Sequence, residues 1–154
     1  MEENSKWKQF SKRNDMVYRL FKSSSQIVFQ LTDMVDILEE KLSEKEFIHR
    51  FQMLNPEVEA DPSIIGVVAK ELSSAASIQT QEEETTVNLE FLECDIFLKW
   101  EFKLQKLPPE KMHDIITKNL LAVTNYLVFT KVLALIQMKF ENMSGLFFFS
   151  GKID

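Results

Sequence analysis

The sequence predicts an α+β fold, in which a head of six or seven antiparallel strands with a helical insert is followed by one long C-terminal helix. Apolar and polar residues alternate with period two within the first 31 residues and again over 85–104, which is typical of half-buried strands. Between these stretches, and again after residue 108, the apolar spacing becomes helical. At 154 residues, the chain has room for one domain with an appendage.

Glycine is scarce in this chain, and this excludes several enzyme classes. There are only three glycines, Gly66, Gly145 and Gly151. The phosphate-binding loops of P-loop, Rossmann and kinase proteins need closely spaced glycines, and none can be formed from these three positions.

The first three strands are predicted at Trp7–Ser11, Met16–Lys22 and Gln26–Leu31. Turn signals separate them, because Asn14-Asp15 and a run of three serines lie between the apolar stretches. Strands at about ten-residue spacing favour an antiparallel meander.

An all-helical insert is predicted over about 33–73. Thr32 or Asp33 can cap a first helix through Leu42, and Ser43 with Glu46 forms a capping box for a second. Asp61-Pro62 is the expected start of a third helix, with the aspartate at the cap and the proline at the first helical position.

Strands return after the insert and complete the head, residues 1–107. Candidates are Ala75–Thr80, Thr85–Leu92 and Phe97–Leu104, with a hairpin turn near Glu93–Asp95. Packed on themselves, these strands predict a small sandwich or barrel.

The last predicted element is a helix over 108–143 that forms a coiled-coil stalk. Its apolar seam keeps a 4-3-4-3 spacing for four heptads, which is the coiled-coil pattern and predicts a homodimer. One polar residue in the seam, Asn119, can set register and oligomeric state. The predicted dimerisation residues are Ile115, Asn119, Ala122, Tyr126, Phe129, Leu133, Ile136, Phe140 and Met143.

No catalytic, cofactor or metal site is predicted. His49 and His113 have no ligand spacing to another histidine or to the single cysteine, Cys94, which we expect to be a small core residue. One cysteine and no apolar leader segment predict a soluble protein of a reducing, intracellular compartment with no membrane span. No dense lysine or arginine cluster predicts autonomous nucleic-acid binding.

Particular residues stand in a characteristic order over about 7–143: Trp7, Asn14, Phe21, Thr32-Asp33, Trp100, Phe102, Leu107-Pro108, His113, Ile115-Ile116 and Met138-Lys139. This order resembles the Cernunnos/XLF family of non-homologous end-joining factors. The resemblance implies a seven-stranded antiparallel β-sandwich head that holds a helix-turn-helix insert, followed by a coiled-coil stalk that makes a homodimer. Residues 144–154 would then be a short apolar tail.

The resemblance also implies a function. Members of the family are non-enzymatic scaffolds that bridge DNA ends in double-strand break repair in the nucleus. They stimulate the DNA ligase IV complex through head-to-head contacts with the ligase's scaffold subunit. By position, Leu54 and Ile96 match the family's apolar contact residues, and Met53 stands where the family has an arginine.

The family implies Ku and DNA contacts from a basic tail, but residues 144–154 hold no basic cluster, so these contacts are not carried over to them.

A head followed by a coiled coil also occurs in assembly proteins of the centriole and cytoskeleton, and fold does not determine function. Nuclear recruitment to damage would favour repair, and a centriolar location would favour assembly.

Overall fold

A computed structural model describes residues 6–119 and 133–142. The chain divides into two compact units, residues 1–115 and 116–154, each of which is considered by itself. Within residues 6–119 there are seven strands and three helices. In chain order they are β1 (Lys8–Phe10), β2 (Arg13–Ser23), β3 (Gln26–Thr32), β4 (Ile37–Ser43), α1 (Glu44–Leu54), α2 (Ile64–Ala75), β5 (Ala76–Gln81), β6 (Glu84–Glu93), β7 (Ile96–Lys106) and α3 (Pro109–Asn119).

The seven strands form one antiparallel sheet with the order β1-β2-β3-β4-β7-β6-β5. Its two halves, β1–β4 and β5–β7, meet where β4 pairs with β7 at two residue pairs, Leu38 with Lys106 and Glu39 with Gln105. The predicted seven antiparallel strands are therefore confirmed. The predicted sandwich is not, because all seven strands belong to one continuous, curled sheet.

The predicted first helix of the insert is wrong, because residues 37–43 form strand β4. Ile37 and Leu42, five positions apart, are both buried, so β4 is covered on both faces and has no simple alternation. The same spacing imitates a helical stripe in the sequence. The insert therefore begins at Glu44 rather than at about residue 33.

The start of α1 carries the chemistry that the sequence predicts. Ser43 accepts a hydrogen bond from the Glu46 N–H at 3.1 Å, and the Glu46 carboxylate accepts one from the Ser43 N–H at 2.7 Å, which completes the capping box. Hydrogen bonds from the Ser43 N–H and hydroxyl to the Glu46 carboxylate lower its pKa. The predicted start of the next helix is wrong by two residues, because α2 begins at Ile64, with Ser63 at the N-cap position and no side-chain cap bond. The Asp61 carboxylate instead accepts the Ser63 N–H at 2.8 Å in the turn before the helix.

An aromatic cluster fills the inner face of the sheet, which is the face on which α1 packs. The Phe47 ring of α1 stacks on Trp100 with 3.9 Å between centroids, and Phe29 stacks on Phe102 at 4.2 Å. Such pairs add about 1 kcal/mol to the burial of the rings themselves. Helix α2 contacts β1, β5 and β6, so it spans the two edges of the curled sheet.

Candidate partner-binding surface

Strand β7 pairs with β4 only at Gln105 and Lys106, near its C-terminal end. The backbone groups of the preceding residues on that edge of β7 therefore need other partners. Buried N–H and C=O groups are nearly always hydrogen-bonded, and an open strand edge must be covered or paired. Here the partners are side chains. The backbone groups of Lys99, Glu101 and Lys103 bond to Asn55, Arg50 and Glu40, respectively.

Asn55, the residue after α1, makes the closest copy of a strand pairing. Its side-chain oxygen accepts the Lys99 N–H at 2.8 Å, and its amide nitrogen donates to the Lys99 carbonyl at 2.9 Å. The same amide nitrogen donates to the Phe51 carbonyl at 2.9 Å, which caps the end of α1. Asn55 is 5% exposed, so each of these bonds forms in a low-dielectric environment.

Arg50 and Glu40 form the second link. The guanidinium and the carboxylate make a two-pronged pair at 2.6 and 2.9 Å, and Arg50 also donates to the Glu101 carbonyl at 3.1 Å. The Glu40 carboxylate accepts the Lys103 N–H at 2.8 Å. The Arg50 guanidinium lies 5.6 Å from the centroid of Trp100, within cation–π range.

These links place the end of α1 beside the β6–β7 hairpin. Since Asn55 bonds to Lys99, the end of α1 is three strand residues, or about 10 Å, from Ile96. Met53 is 70% exposed and Ile96 is 50% exposed. Leu54 is half-buried and lines a groove of about 500 Å³ together with side chains of β5, β6 and β7. The structure thus brings the three predicted contact residues to one end of the head.

Two further apolar residues lie at the same hairpin and are absent from the sequence prediction. Leu92 and Phe97 are paired across β6 and β7, and they are 65% and 56% exposed. We call Leu92, Ile96 and Phe97 the apolar tip. The alternation in β6 and β7 could have revealed it, because the solvent-facing positions hold polar residues until these last ones. Leu92 and Phe97 share one face of the hairpin and Ile96 lies on the other, so exposed apolar side chains lie on both sides of its end, a feature that marks an interaction surface.

The turn that carries the apolar tip is tight. Cys94 and Asp95 have φ of 50° and 65°, and two such residues between paired strands are typical of a type I′ hairpin turn. Cys94 is exposed, so the expectation that it lies in the core is wrong. The hairpin turn near Glu93–Asp95 is confirmed.

The predicted dimerisation residues are only partly described. Ile115 lies in α3 and is half-buried, and Asn119 is the last residue of α3. Residues 133–142 are helical, and Leu133, Ile136 and Phe140 are all exposed there. Ala122, Tyr126, Phe129 and Met143 lie outside the described residues.

The two histidines of the chain lie on different helices. His49 and His113 are exposed at separate positions, on α1 and α3. Within 6–119 and 133–142, no group of three histidine, cysteine or acidic residues could hold a metal ion. No helix in these ranges is long and apolar enough to cross a membrane.

Comparison with known proteins identifies one family. A family model described as the XLF N-terminal domain matches residues 6–108, which is 103 of the 154 residues. The matched range covers all seven strands and helices α1 and α2. No curated protein matches the chain.

Proposed function

This chain belongs to the XLF family, and on that premise we propose that it is a non-enzymatic scaffold of non-homologous end joining. Membership of the family itself indicates a role in end joining. The finer proposal is that the head bridges DNA ends and stimulates the DNA ligase IV complex through contact with the ligase's scaffold subunit. It includes a nuclear location and a homodimer formed through the stalk. The family match favours this function over a centriolar or cytoskeletal one.

The observation that carries the proposal is the apolar tip beside Met53 and Leu54. Apolar anchors that are exposed in the free protein and buried in a complex supply most of the affinity of an interface. The tip is held by backbone pairing of β6 with β7, and α1 is held by Asn55 and Arg50. Because these supports are rigid, little conformational entropy needs to be lost when a partner binds.

Charge substitutions at the tip test the head contact. We expect Ile96→Asp and Phe97→Asp each to weaken binding to the ligase scaffold subunit by about tenfold or more, because a buried unpaired carboxylate opposes association. The measurement is isothermal titration of the purified full chain. Val35→Asp is the matched control, since Val35 is also an exposed apolar residue and lies in the β3–β4 connection. Equal weakening by all three variants would contradict the proposed surface.

Met53 and Leu54 need separate treatment. Met53→Asp alters an exposed side chain and should weaken binding without affecting the free energy of unfolding. Leu54 packs against the core, so Leu54→Asp should lower stability as well as binding. Urea unfolding alongside the titration separates the two effects. Unchanged binding by Met53→Asp would remove the end of α1 from the contact.

A pair of adjacent substitutions tests the stalk. Ile136 belongs to the predicted seam and Leu135 does not, yet both are exposed on the 133–142 helix. We expect Ile136→Asp to dissociate the dimer and Leu135→Asp to leave it intact, because only the seam is buried in a coiled coil. Sedimentation equilibrium measures the mass. A wild-type monomer at tens of micromolar, or an equal effect of both substitutions, would contradict the proposed seam.

A further inference from the structure

We propose that the outer edge of β5 binds an extended, basic peptide segment, which pairs with it antiparallel as an additional strand. The sheet ends at β5 on one side and at β1 on the other. Within the described residues, the backbone of β5 is bonded to β6 but to no other element. A strand edge of this kind is a template for another strand, a recurring mode of peptide recognition.

The two edges of the sheet differ in how they are protected. Strand β1 has only three residues and a bulge between Gln9 and Phe10, and it is followed by a bond from the Ser11 N–H to the Ser73 carbonyl of α2. Short length, bulges and cover by a helix are the usual means of blocking an edge. Strand β5 runs in unbroken register for six residues and contains no proline, glycine or charge. Helix α2 contacts β5 as well as β1, but within the described residues no backbone hydrogen bond joins β5 to α2, so the backbone edge of β5 stays unpaired.

The register shows which groups of β5 are available. In an antiparallel pair that is closed by a two-residue loop, the flanking residues are hydrogen-bonded to each other, and bonding then alternates along the strand. Strand β7 follows this rule, since its pairing starts at Ile96 and its outward groups are those of Lys99, Glu101 and Lys103. On β5, which closes at Gln81 and Glu84, the rule leaves Ala76, Ile78 and Thr80 facing outward.

Charge near this edge selects a basic partner. Glu82 and Glu83 form the β5–β6 turn, and Glu84 and Glu90 are exposed on β6. No ion pair involves these four carboxylates among the described residues. Residues 61–90 carry one basic residue against six acidic ones. Lysine or arginine at alternate positions of an added strand would lie on the outer face with these carboxylates, and apolar residues would lie beside Ile78.

The probe is a synthetic peptide of alternating lysine and valine, labelled with fluorescein and titrated with the full chain. Directly opposed residues of an antiparallel pair share one face, so the valine amides would bond to Ala76, Ile78 and Thr80. We therefore expect N-methylation of the valine amides to weaken binding at least about tenfold, since backbone bonds of about 1 kcal/mol each are lost. N-methylation of the lysine amides should leave binding unchanged. Equal effects of the two modifications, or no binding of the parent peptide at millimolar concentration, would overturn the proposal.

Protein variants test the charge component. Glu83→Gln with Glu90→Gln should weaken the peptide several-fold and reduce the salt dependence of binding, because screened surface charges contribute modestly. Glu57→Gln with Glu59→Gln is the matched control, since these carboxylates are exposed outside the sheet. Equal weakening by both pairs would overturn the assignment to β5. Sedimentation can also reveal association of two heads in the absence of peptide. If added peptide does not change that association, the edge is assigned to a second copy of the chain, and the proposal is overturned.

This proposal goes beyond the end-joining function and can fail independently of it. The peptide titration involves neither the ligase scaffold subunit nor the apolar tip. If the peptide does not bind, while Ile96→Asp still weakens binding to the ligase scaffold subunit, the edge site alone is rejected.

Discussion

The two halves of the sheet differ in what covers their outer face, the face opposite α1. In β2 and β3 that face is buried, with Val17, Phe21 and Val28 almost fully covered. In β6 and β7 it is open, and it carries charged residues that end in Leu92 and Phe97. The first half therefore serves stability on both faces. The second half is free to bind partners, and both proposed surfaces lie in it.

A buried polar row shows how demanding the covered half is. Arg19 is 3% exposed, its guanidinium lies 4.8 Å from the Trp7 ring and 4.6 Å from the Phe21 ring, and its Nε donates to Gln30 at 2.7 Å. Gln30 in turn donates to Glu39 at 2.6 Å. Buried polar groups are costly unless satisfied, so this row tolerates little change.

The largest loss of stability is expected from a substitution that interrupts this polar row. Gln30→Leu should lower the free energy of unfolding by about 3 kcal/mol, because two charged groups each lose a hydrogen bond in a buried environment. Glu90→Ala, on the outer face of the open half, should change it by no more than about 0.5 kcal/mol. Urea unfolding of both variants measures the contrast. Similar losses would mean that the two outer faces do not differ as described.

The next effect concerns the edge of β7, where the side chain of Asn55 replaces a strand partner. Asn55→Ala removes both bonds to Lys99 and the cap of α1, so we expect a loss of about 2–3 kcal/mol. Asn88→Ala is the matched control, because its side chain donates to Thr86 in a partly buried site, and it should cost about 0.5 kcal/mol. Thermal unfolding checks the pair. A small effect at Asn55 would show that water can replace it at the β7 edge.

A smaller effect should raise stability. Asp95 has φ of 65°, which costs a side chain about 1 kcal/mol and costs glycine little, so Asp95→Gly should stabilise the protein by up to about 1 kcal/mol. The β5–β6 turn offers a matched pair, since Glu82 has φ of 55° and Glu83 is not in the left-handed region. Glu82→Gly should stabilise and Glu83→Gly should not. The reverse order, measured by urea unfolding, would contradict the turn geometry.

The smallest effect depends on pH and lies in the helical insert. The pKa of Glu46 is lowered by the Ser43 N–H and hydroxyl bonds, so its stabilising contribution is complete above the ordinary glutamate pKa of about 4.3 and is lost as the pH falls through the lowered value. As the pH is lowered from about 5 to about 2.5, the melting temperature of Glu46→Gln should therefore fall less than that of the wild type. Equal acid sensitivity of the two proteins would exclude this cap as a contributor.

Local patterns account for the parts of the fold that the sequence predicted well. The capping box at Ser43, the turn at residues 93–95 and the alternation of β6 and β7 each depend on neighbours within a few residues. Strand β4 was mistaken for a helix because it is buried on both faces, so its residues do not alternate. The family resemblance predicts Leu54 and Ile96 as contact residues. Leu92 and Phe97 are recognised as candidates only from the exposed fractions of their side chains in the folded structure.

The sequence by itself determined the composition of the head, the strand and helix periods over most of it, the apolar spacing after residue 108, and membership of a family. Those properties follow from short-range spacing, which any chain segment carries with it. Only the tertiary structure decided that β4 pairs with β3, that Arg19 is buried, that Asn55 serves as a strand partner for β7, and that β5 has an open edge. Each of these depends on residues far apart in sequence, because burial and backbone satisfaction are properties of what finally lies alongside a strand.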